Sequence, residues 1–148
     1  AEEANDAELA EDISYLRKTW RRIQDAAKKL PPKSVVHQDL NLLQRVMRDV
    51  ELRCCDMALT PERVATEFGL SLRSLHQLFE LSDQSFHEFL TRTRLALAHT
   101  LLSDSSSRHV GTTEIGFAVG FKETSTFYRR FRQQYGDTPG AVRSAALR

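Results

Sequence analysis

Residues 112–135 read TTEIGFAVGFKETSTFYRRFRQQY, and residues 60–79 repeat the same pattern as TPERVATEFGLSLRSLHQLF. Each stretch predicts a short amphipathic helix, a glycine turn and a second helix with a polar outer face. The shared positions are a small or β-branched apolar pair, a turn glycine followed by an apolar residue, and a closing phenylalanine: Val64-Ala65, Gly69-Leu70 and Phe79, and Ile115-Gly116, Gly120-Phe121 and Phe131. This is helix-turn-helix spacing, in which the second helix enters a DNA major groove. Two copies predict one chain that reads two successive grooves.

A chain of 148 residues is long enough for one domain with a full core, or for one domain with an appendage. Its formal net charge is +1. No apolar run approaches the length of a membrane span, and no signal peptide opens the chain. Ala1 stands where an initiator methionine is expected, which indicates a trimmed or partial protein. We find no nucleophile–base pair, paired carboxylates or phosphate-cradling glycine loop, so we expect neither an enzyme nor a cofactor.

The two cysteines, Cys54 and Cys55, are adjacent and cannot form an ordinary disulfide. We expect them to lie on a helix as small apolar packing residues in a reducing cytoplasm. The five histidines show no metal-ligand spacing with the cysteines or with one another, so we expect no metal site.

The N-terminal stretch, residues 1–37, predicts an amphipathic helix and a linker. Its apolar residues recur in steps of four and three, which is a heptad seam. We predict that this seam forms a coiled-coil homodimer through Leu9, Ile13, Leu16, Trp20, Ile23 and Leu30. The alternative is a helix that packs its seam on a domain of its own chain, or on one missing here. Pro31-Pro32 end the helix.

The remaining residues, 38–148, predict one DNA-binding domain. A helix is expected over 38–55, a long central helix over 85–103, a polar solvated loop over 104–111, and a last short helix after Thr138-Pro139. The helix-turn-helix motifs occupy 60–80 and 112–135. The predicted fold is therefore all-α, with two helix-turn-helix subdomains joined by a long central helix and preceded by the N-terminal amphipathic helix.

The stretch from Asp39 to Arg143 resembles the DNA-binding domain of the arabinose-regulator (AraC/XylS) family of bacterial transcription regulators. The most specific residues lie in the second repeat and after it: Ile115, Gly120-Phe121, Phe127, Arg129, Phe131, Gly136, Thr138-Pro139 and Arg143. The central helix fits through Ser85-Phe86, Arg94-Leu95, Ala98 and Leu101-Leu102. The resemblance implies a cytoplasmic, nucleoid-associated regulator that binds double-stranded DNA, with RNA polymerase as a candidate further partner.

Three positions depart from the family pattern. Gly116 stands where alanine is usual, and should loosen its helix by about 0.5–1 kcal/mol. Asp83 stands where a glycine usually closes the first recognition helix, and aspartate tolerates the left-handed conformation better than most residues. Gln77 stands where a basic residue is common. Family members usually also carry a sensory domain ahead of the DNA-binding one, whereas only residues 1–38 precede it here. We expect either that the sensor was removed or that this is a short form without one.

The first recognition helix is expected from Ser71 to Glu80, with Leu75, Leu78 and Phe79 facing the core. Its outer face carries the candidate DNA-binding residues Arg73, Ser74, His76 and Gln77. Arginine can bind guanine and glutamine can bind adenine through paired hydrogen bonds, and the resemblance aligns Arg73 and Gln77 with base-contacting positions. The alternative for each is a solvated surface residue.

The second recognition helix is expected from Glu123 to Gln134. The candidate base readers are Thr124, Ser125, Tyr128 and Arg129; the candidate phosphate contacts are Lys122, Thr126, Arg130 and Arg132. For Arg130 and Arg132 the alternative is an intramolecular salt bridge or plain solubility. Phe117, Phe121, Phe127 and Phe131 are predicted core residues rather than a base-stacking platform.

The leading functional prediction is therefore a sequence-specific transcription regulator that reads two adjacent major grooves. The rival is a helical protein-interaction module that uses residues 1–30 as a partner zipper, with weak or lost DNA binding. The polar faces of the two recognition helices discriminate between them: Arg73, Lys122, Arg129 and Arg130 favour the first. Gln77 and the near-zero net charge favour the second slightly.

Overall fold

The computed structural model describes residues 17–25 and 35–148. Residues 17–25 form α1. The helices that follow are α2 (Val35–Leu52), α3 (Pro61–Glu67), α4 (Leu72–Glu80), α5 (Phe86–Ser103), α6 (Thr112–Ala118), α7 (Thr124–Tyr135) and α8 (Pro139–Ala146). Over these two ranges there is no strand, and the predicted all-α class is confirmed. None of the helices in this part of the chain is long and apolar enough to cross a membrane.

Helix starts follow the capping residues of the sequence. Thr60, Ser71 and Thr138 each accept a hydrogen bond from a backbone N–H of the first turn, at 3.1–3.3 Å. Ser85 does the same for α5, and the Glu88 carboxylate accepts the Ser85 N–H in return at 2.6 Å. Gly136, with φ of +75°, ends α7. The helix boundaries predicted at these residues are confirmed. The sequence could predict them because each capping residue or glycine lies within a few residues of the helix end that it determines.

Two apolar cores lie along α5. The first, which we call the first lobe, buries Leu43, Val46 and Val50 of α2 against α3, α4 and Phe86 to Leu90 of α5. The second lobe begins at Leu95 and packs the rest of α5 against α6 and α7. Because α5 is one continuous helix, it is the strut between the two lobes that the sequence predicted.

The N-terminal helix contacts the first lobe of its own chain. Ile23 of α1 is 5% exposed and belongs to the same core as Leu40 and Leu43. Trp20, on the same helix, is 41% exposed. The other seam residues, Leu9, Ile13, Leu16 and Leu30, lie outside the described residues. The part of the seam that is described thus contributes one residue to the core of its own subunit.

The end of α2 and the two cysteines differ from the prediction. The helix runs from Val35 to Leu52 rather than over 38–55, and both cysteines lie in the turn that follows. That turn is closed by a hydrogen bond from the Asp56 N–H to Arg53 O at 2.9 Å. Just beyond it the Asp56 carboxylate accepts the Ala58 N–H at 2.8 Å, a local bond that competes with helix continuation. Cys54 is buried as expected, but Cys55 is exposed, so the packing role predicted for Cys55 was wrong.

Phe117 was wrongly predicted to be a core residue, since it is 40% exposed. On α6 the buried residues are Ile115, Gly116 and, just after the helix, Val119. Phe117 is two positions from both Ile115 and Val119, which places it about 200° around the helix from each, on the opposite face.

The polar loop predicted after α5 also contains a short 3₁₀ turn at Ser105–Ser107.

The last helix is fastened to the loop that precedes α6. The Arg143 guanidinium donates to the carbonyl oxygens of Val110 and Ser107. Both acceptors lie more than thirty residues away along the chain. This contact, together with the packing of Val142 on the second core, makes α8 part of the second lobe.

Candidate nucleic-acid interface

The first helix-turn-helix consists of α3, a turn at Gly69 and α4. Gly69 has φ of +67°, and the next residue, Leu70, donates its N–H back to Ala65 O at 2.8 Å. This closes the turn in a conformation that favours glycine. On α4, Leu75, Leu78 and Phe79 are buried. The four candidate residues are all exposed on the remaining face: Arg73, Ser74, His76 and Gln77.

The end of α4 also follows the sequence prediction. Asp83 adopts φ of +55°, the left-handed conformation expected where a glycine usually stands. Ser74 is less free than its neighbours, because its hydroxyl is hydrogen-bonded to the Ser71 hydroxyl at 2.8 Å. Arg73 and Gln77 therefore carry most of the hydrogen-bonding capacity of this face.

The second helix-turn-helix repeats the construction with α6, a turn at Gly120 and α7. Gly120 has φ of +107°, and Phe121 donates its N–H to Gly116 O at 3.1 Å. Phe127 and Phe131 are fully buried on the inner face of α7. The outer face carries the exposed candidates Ser125, Arg129, Arg130 and Arg132, and Lys122 is exposed in the turn just before α7. The half-buried candidates are Thr124, Thr126 and Tyr128.

Two of the half-buried candidates already have partners within the chain. The Tyr128 hydroxyl is hydrogen-bonded to the Thr112 hydroxyl at 2.6 Å, which joins α7 to the start of α6. The Thr126 hydroxyl donates to the Glu123 carboxylate at 3.2 Å. A base or phosphate would have to exchange these bonds, so the exposed candidates have the easier access to DNA. Sequence reasoning missed the Thr112–Tyr128 bond because its partners are sixteen residues apart.

Arg130 faces α5 as well as solvent. A groove of about 370 Å³ separates α5 from α7, and Arg130 and Glu88 both line it. The pKa of Glu88 lies below its usual value, first because its carboxylate accepts the Ser85 N–H and also because of the positive charge of Arg130. Arg129, Arg130 and Arg132 all lack an ion pair with any described residue; Arg130 differs from the other two in lining the groove that Glu88 also lines.

The chain matches a family model described as a helix-turn-helix domain over residues 64–145, more than half of its length. The transcriptional activator NphR from Rhodococcus sp is 30% identical over 106 residues, which cover 72% of this chain and 31% of that protein. This chain thus spans about a third of the length of the curated relatives it matches.

Solved structures show the same fold. A probable AraC family transcriptional regulator from Rhodopseudomonas palustris CGA009 has a TM-score of 0.65 at 28% identity, covering 72% of this chain and 97% of the other. The DNA-binding domain of the global transcriptional factor AdpA, solved in complex with a target DNA, has a TM-score of 0.62, covering 70% and 90%. At 23% identity the likeness to AdpA concerns the fold alone.

A second family model, described as the ribonuclease E/G family, matches residues 1–67. It covers less than half of the chain and ends with Glu67, the last residue of α3. The helix-turn-helix match instead begins at Val64, inside α3, and runs through the rest of the first motif, the α5 strut and the whole second motif. On the strength of that match and of the two motifs, the chain belongs to the AraC family of helix-turn-helix DNA-binding transcription regulators, a family of regulators rather than enzymes.

Proposed function

We propose that this chain reads one operator through two adjacent major grooves, with α4 in one groove and α7 in the next, about 34 Å apart. The proposal rests on one observation: each of the two recognition helices, α4 and α7, exposes one face to solvent. Each buries its apolar face in its own lobe and leaves a polar face free, and the continuous helix α5 joins the lobes.

The two faces differ in what they offer to DNA. On α4, Arg73 and Gln77 supply side chains suited to guanine and adenine, with little net charge. On α7, Ser125 and Arg129 are exposed candidate readers, while Arg132 and Lys122, which lies in the turn just before α7, supply positive charge for phosphates. We propose that the first lobe contributes mainly sequence discrimination and the second lobe most of the electrostatic affinity.

The proposal is tested by Arg129→Ala on a site found by footprinting the purified chain on genomic fragments. Arg129 is exposed and has no ion-pair partner among the described residues, so its guanidinium is free to bind a base. We expect binding to weaken by about 1–3 kcal/mol on the cognate site, with relaxed preference at one base pair. A binding titration against every single-base variant of the site measures both effects.

The matched control is Arg148→Ala, which removes the same charge from an exposed residue after α8. It should change cognate and scrambled DNA alike, and only slightly. Equal losses for Arg129→Ala on cognate and scrambled DNA would contradict base reading by Arg129. Absence of any protected pair of adjacent grooves would contradict the proposal as a whole.

We further propose a homodimer through the N-terminal helix. Because Ile23 packs within its own subunit, the contact would rest on Trp20, which is 41% exposed, and on the seam residues outside the described ranges. Sedimentation of the chain at tens of micromolar, compared with Trp20→Ala, tests this: a monomer in both cases contradicts it. Action in the bacterial cytoplasm and contact with RNA polymerase are proposals that rest on the family.

A further inference from the structure

Arg94 lies on α5 at the point where the helix passes from one lobe to the other. Leu90 belongs to the first core and Leu95 to the second. The Arg94 side chain donates from Nε to Cys54 O at 2.6 Å and from Nη2 to Asp56 O at 2.8 Å. Both acceptors lie in the turn between α2 and α3, about forty residues earlier in the chain. One guanidinium therefore holds the turn of the first lobe against the middle of the strut.

The turn glycine of the second helix-turn-helix packs on the same spot. A Cβ atom on Gly120 would lie 2.7 Å from Arg94 Nε and 2.7 Å from Cys54 O. These separations are shorter than any van der Waals contact, so only glycine lets the turn of the second lobe approach so closely. We call Arg94, Gly120 and the carbonyls of Cys54 and Asp56 the lobe junction.

The junction lies at the base of the second recognition helix, since α7 begins at Thr124, four residues after Gly120. Arg94 is half-buried, and burial lowers its pKa without removing its charge at neutral pH. Hydrogen bonds from a charged donor are stronger than neutral ones. The guanidinium also directs two N–H groups at two fixed acceptors, which a lysine ammonium on a flexible stem cannot reproduce.

We propose that Arg94 is a positioning residue that fixes the spacing and rotation of α4 relative to α7, and so selects half-sites one helical turn apart. This inference rests on the proposed two-groove function. Two rigidly spaced readers favour a single half-site spacing, whereas two loosely connected readers accept several. The junction does not touch DNA in this proposal; it acts only through the geometry of the two helices.

The first test needs no DNA. Spin labels are attached through Glu80→Cys at the end of α4 and Gln133→Cys on α7, both exposed positions, in a Cys55→Ser background. Cys54 stays, because it is buried and its pKa is raised to about 11 by burial, so it reacts slowly. We expect a narrow distance distribution for the native junction and a broader one for Arg94→Lys. An unchanged distribution would overturn the inference.

The second test measures the spacing preference. Duplexes carry the two half-sites of the footprint at the natural separation and at separations changed by one and two base pairs. The Arg94→Lys variant should bind the duplex with the natural separation about ten-fold more weakly than the native chain does. Its affinity for the duplexes with altered separations should fall much less, so the variant should discriminate less between separations. A matched Arg108→Lys change in the loop before α6 should leave the preference intact.

The outcomes separate the two proposals. A uniform loss for Arg94→Lys at all separations, or no loss, overturns the positioning role of Arg94. Binding to an isolated half-site should be unchanged in Arg94→Lys, and a loss there would also overturn it, because it would mean damage within one lobe. If the native chain shows no second half-site, the two-groove function fails, while the spin-label result still decides whether the junction fixes the lobes.

Discussion

The salt dependence of DNA binding should be set mainly by Arg132 and only weakly by Arg130. Each phosphate neutralised contributes about −0.9 to the slope of log affinity against log salt. Residues 122–134 carry four basic residues and one acid, an excess of three. Arg130 lines the same groove as Glu88, and we expect this carboxylate to offset part of the Arg130 charge when DNA binds. We therefore expect Arg132→Gln to flatten the slope by about 0.9 and Arg130→Gln by less than half of that.

The assay is fluorescence anisotropy of a labelled cognate duplex at salt concentrations from about 50 to 200 mM, where counterion release dominates the change in affinity. The variant Glu88→Gln tests the same reasoning by removing the carboxylate charge near Arg130. Its amide oxygen can still accept the Ser85 N–H, which keeps the start of α5 capped. Removing the carboxylate charge should release Arg130 for phosphate and make the slope steeper.

Two results would refute this reasoning. Arg130→Gln could flatten the slope as much as Arg132→Gln, or Glu88→Gln could leave it unchanged. Either would mean that the groove between α5 and α7 does not balance the Arg130 charge. As a comparison for the other lobe, Arg73→Ala with Gln77→Ala should leave the slope close to its native value while reducing discrimination between cognate and mutated sites.

Two further predictions concern stability, measured as the free energy of unfolding in denaturant. Gly116→Ala should destabilise by about 1–2 kcal/mol, because the added Cβ would lie 2.6 Å from Phe127 Cδ1, and crowding in a packed core outweighs the better helix propensity of alanine. An unchanged or higher stability would show that the Phe127 ring moves freely. Phe117→Ser should cost less than about 1 kcal/mol since Phe117 is 40% exposed, whereas Phe127→Ala should cost about 3–5 kcal/mol; similar losses would contradict the exposed placement of Phe117.

The sequence predicted those features whose signals are local. The caps at Thr60, Ser71 and Thr138 and the turn glycines act over three or four residues, and each lies where the pattern indicated. The left-handed conformation of Asp83 was instead expected from the family resemblance, because a glycine usually stands at that position. The sequence also predicted which residues of the two recognition helices face outward. Burial on a helix has a period of 3.6 residues, so the positions of the inward phenylalanines determine which residues point outward.

The errors arose where a residue's environment depends on distant segments. Phe117 has an apolar side chain at helical spacing from other apolar residues, but only one side of α6 is covered by the rest of the second lobe. Cys55 was assigned to a helix that ends three residues earlier, because the Asp56 turn was not recognised. The loss expected at Gly116 considered helix propensity alone; the approach of Phe127, eleven residues later, gives the glycine a packing role.

The net charge of the chain misleads for a related physical reason. In the first lobe Arg53 pairs with Asp49 and with Glu67, the latter at 2.6 Å, and Arg63 pairs with Asp56 at 3.1 Å and Glu67 at 3.2 Å. In the total of +1 these arginines are cancelled by the carboxylates that they bind, on α2, on α3 and in the turn between them. A sum over the chain cannot distinguish a paired arginine from one that faces solvent alone. The arginines available to phosphate are concentrated on α7, so a nearly neutral protein still presents one strongly cationic recognition helix, and it is there that counterion release should be measured.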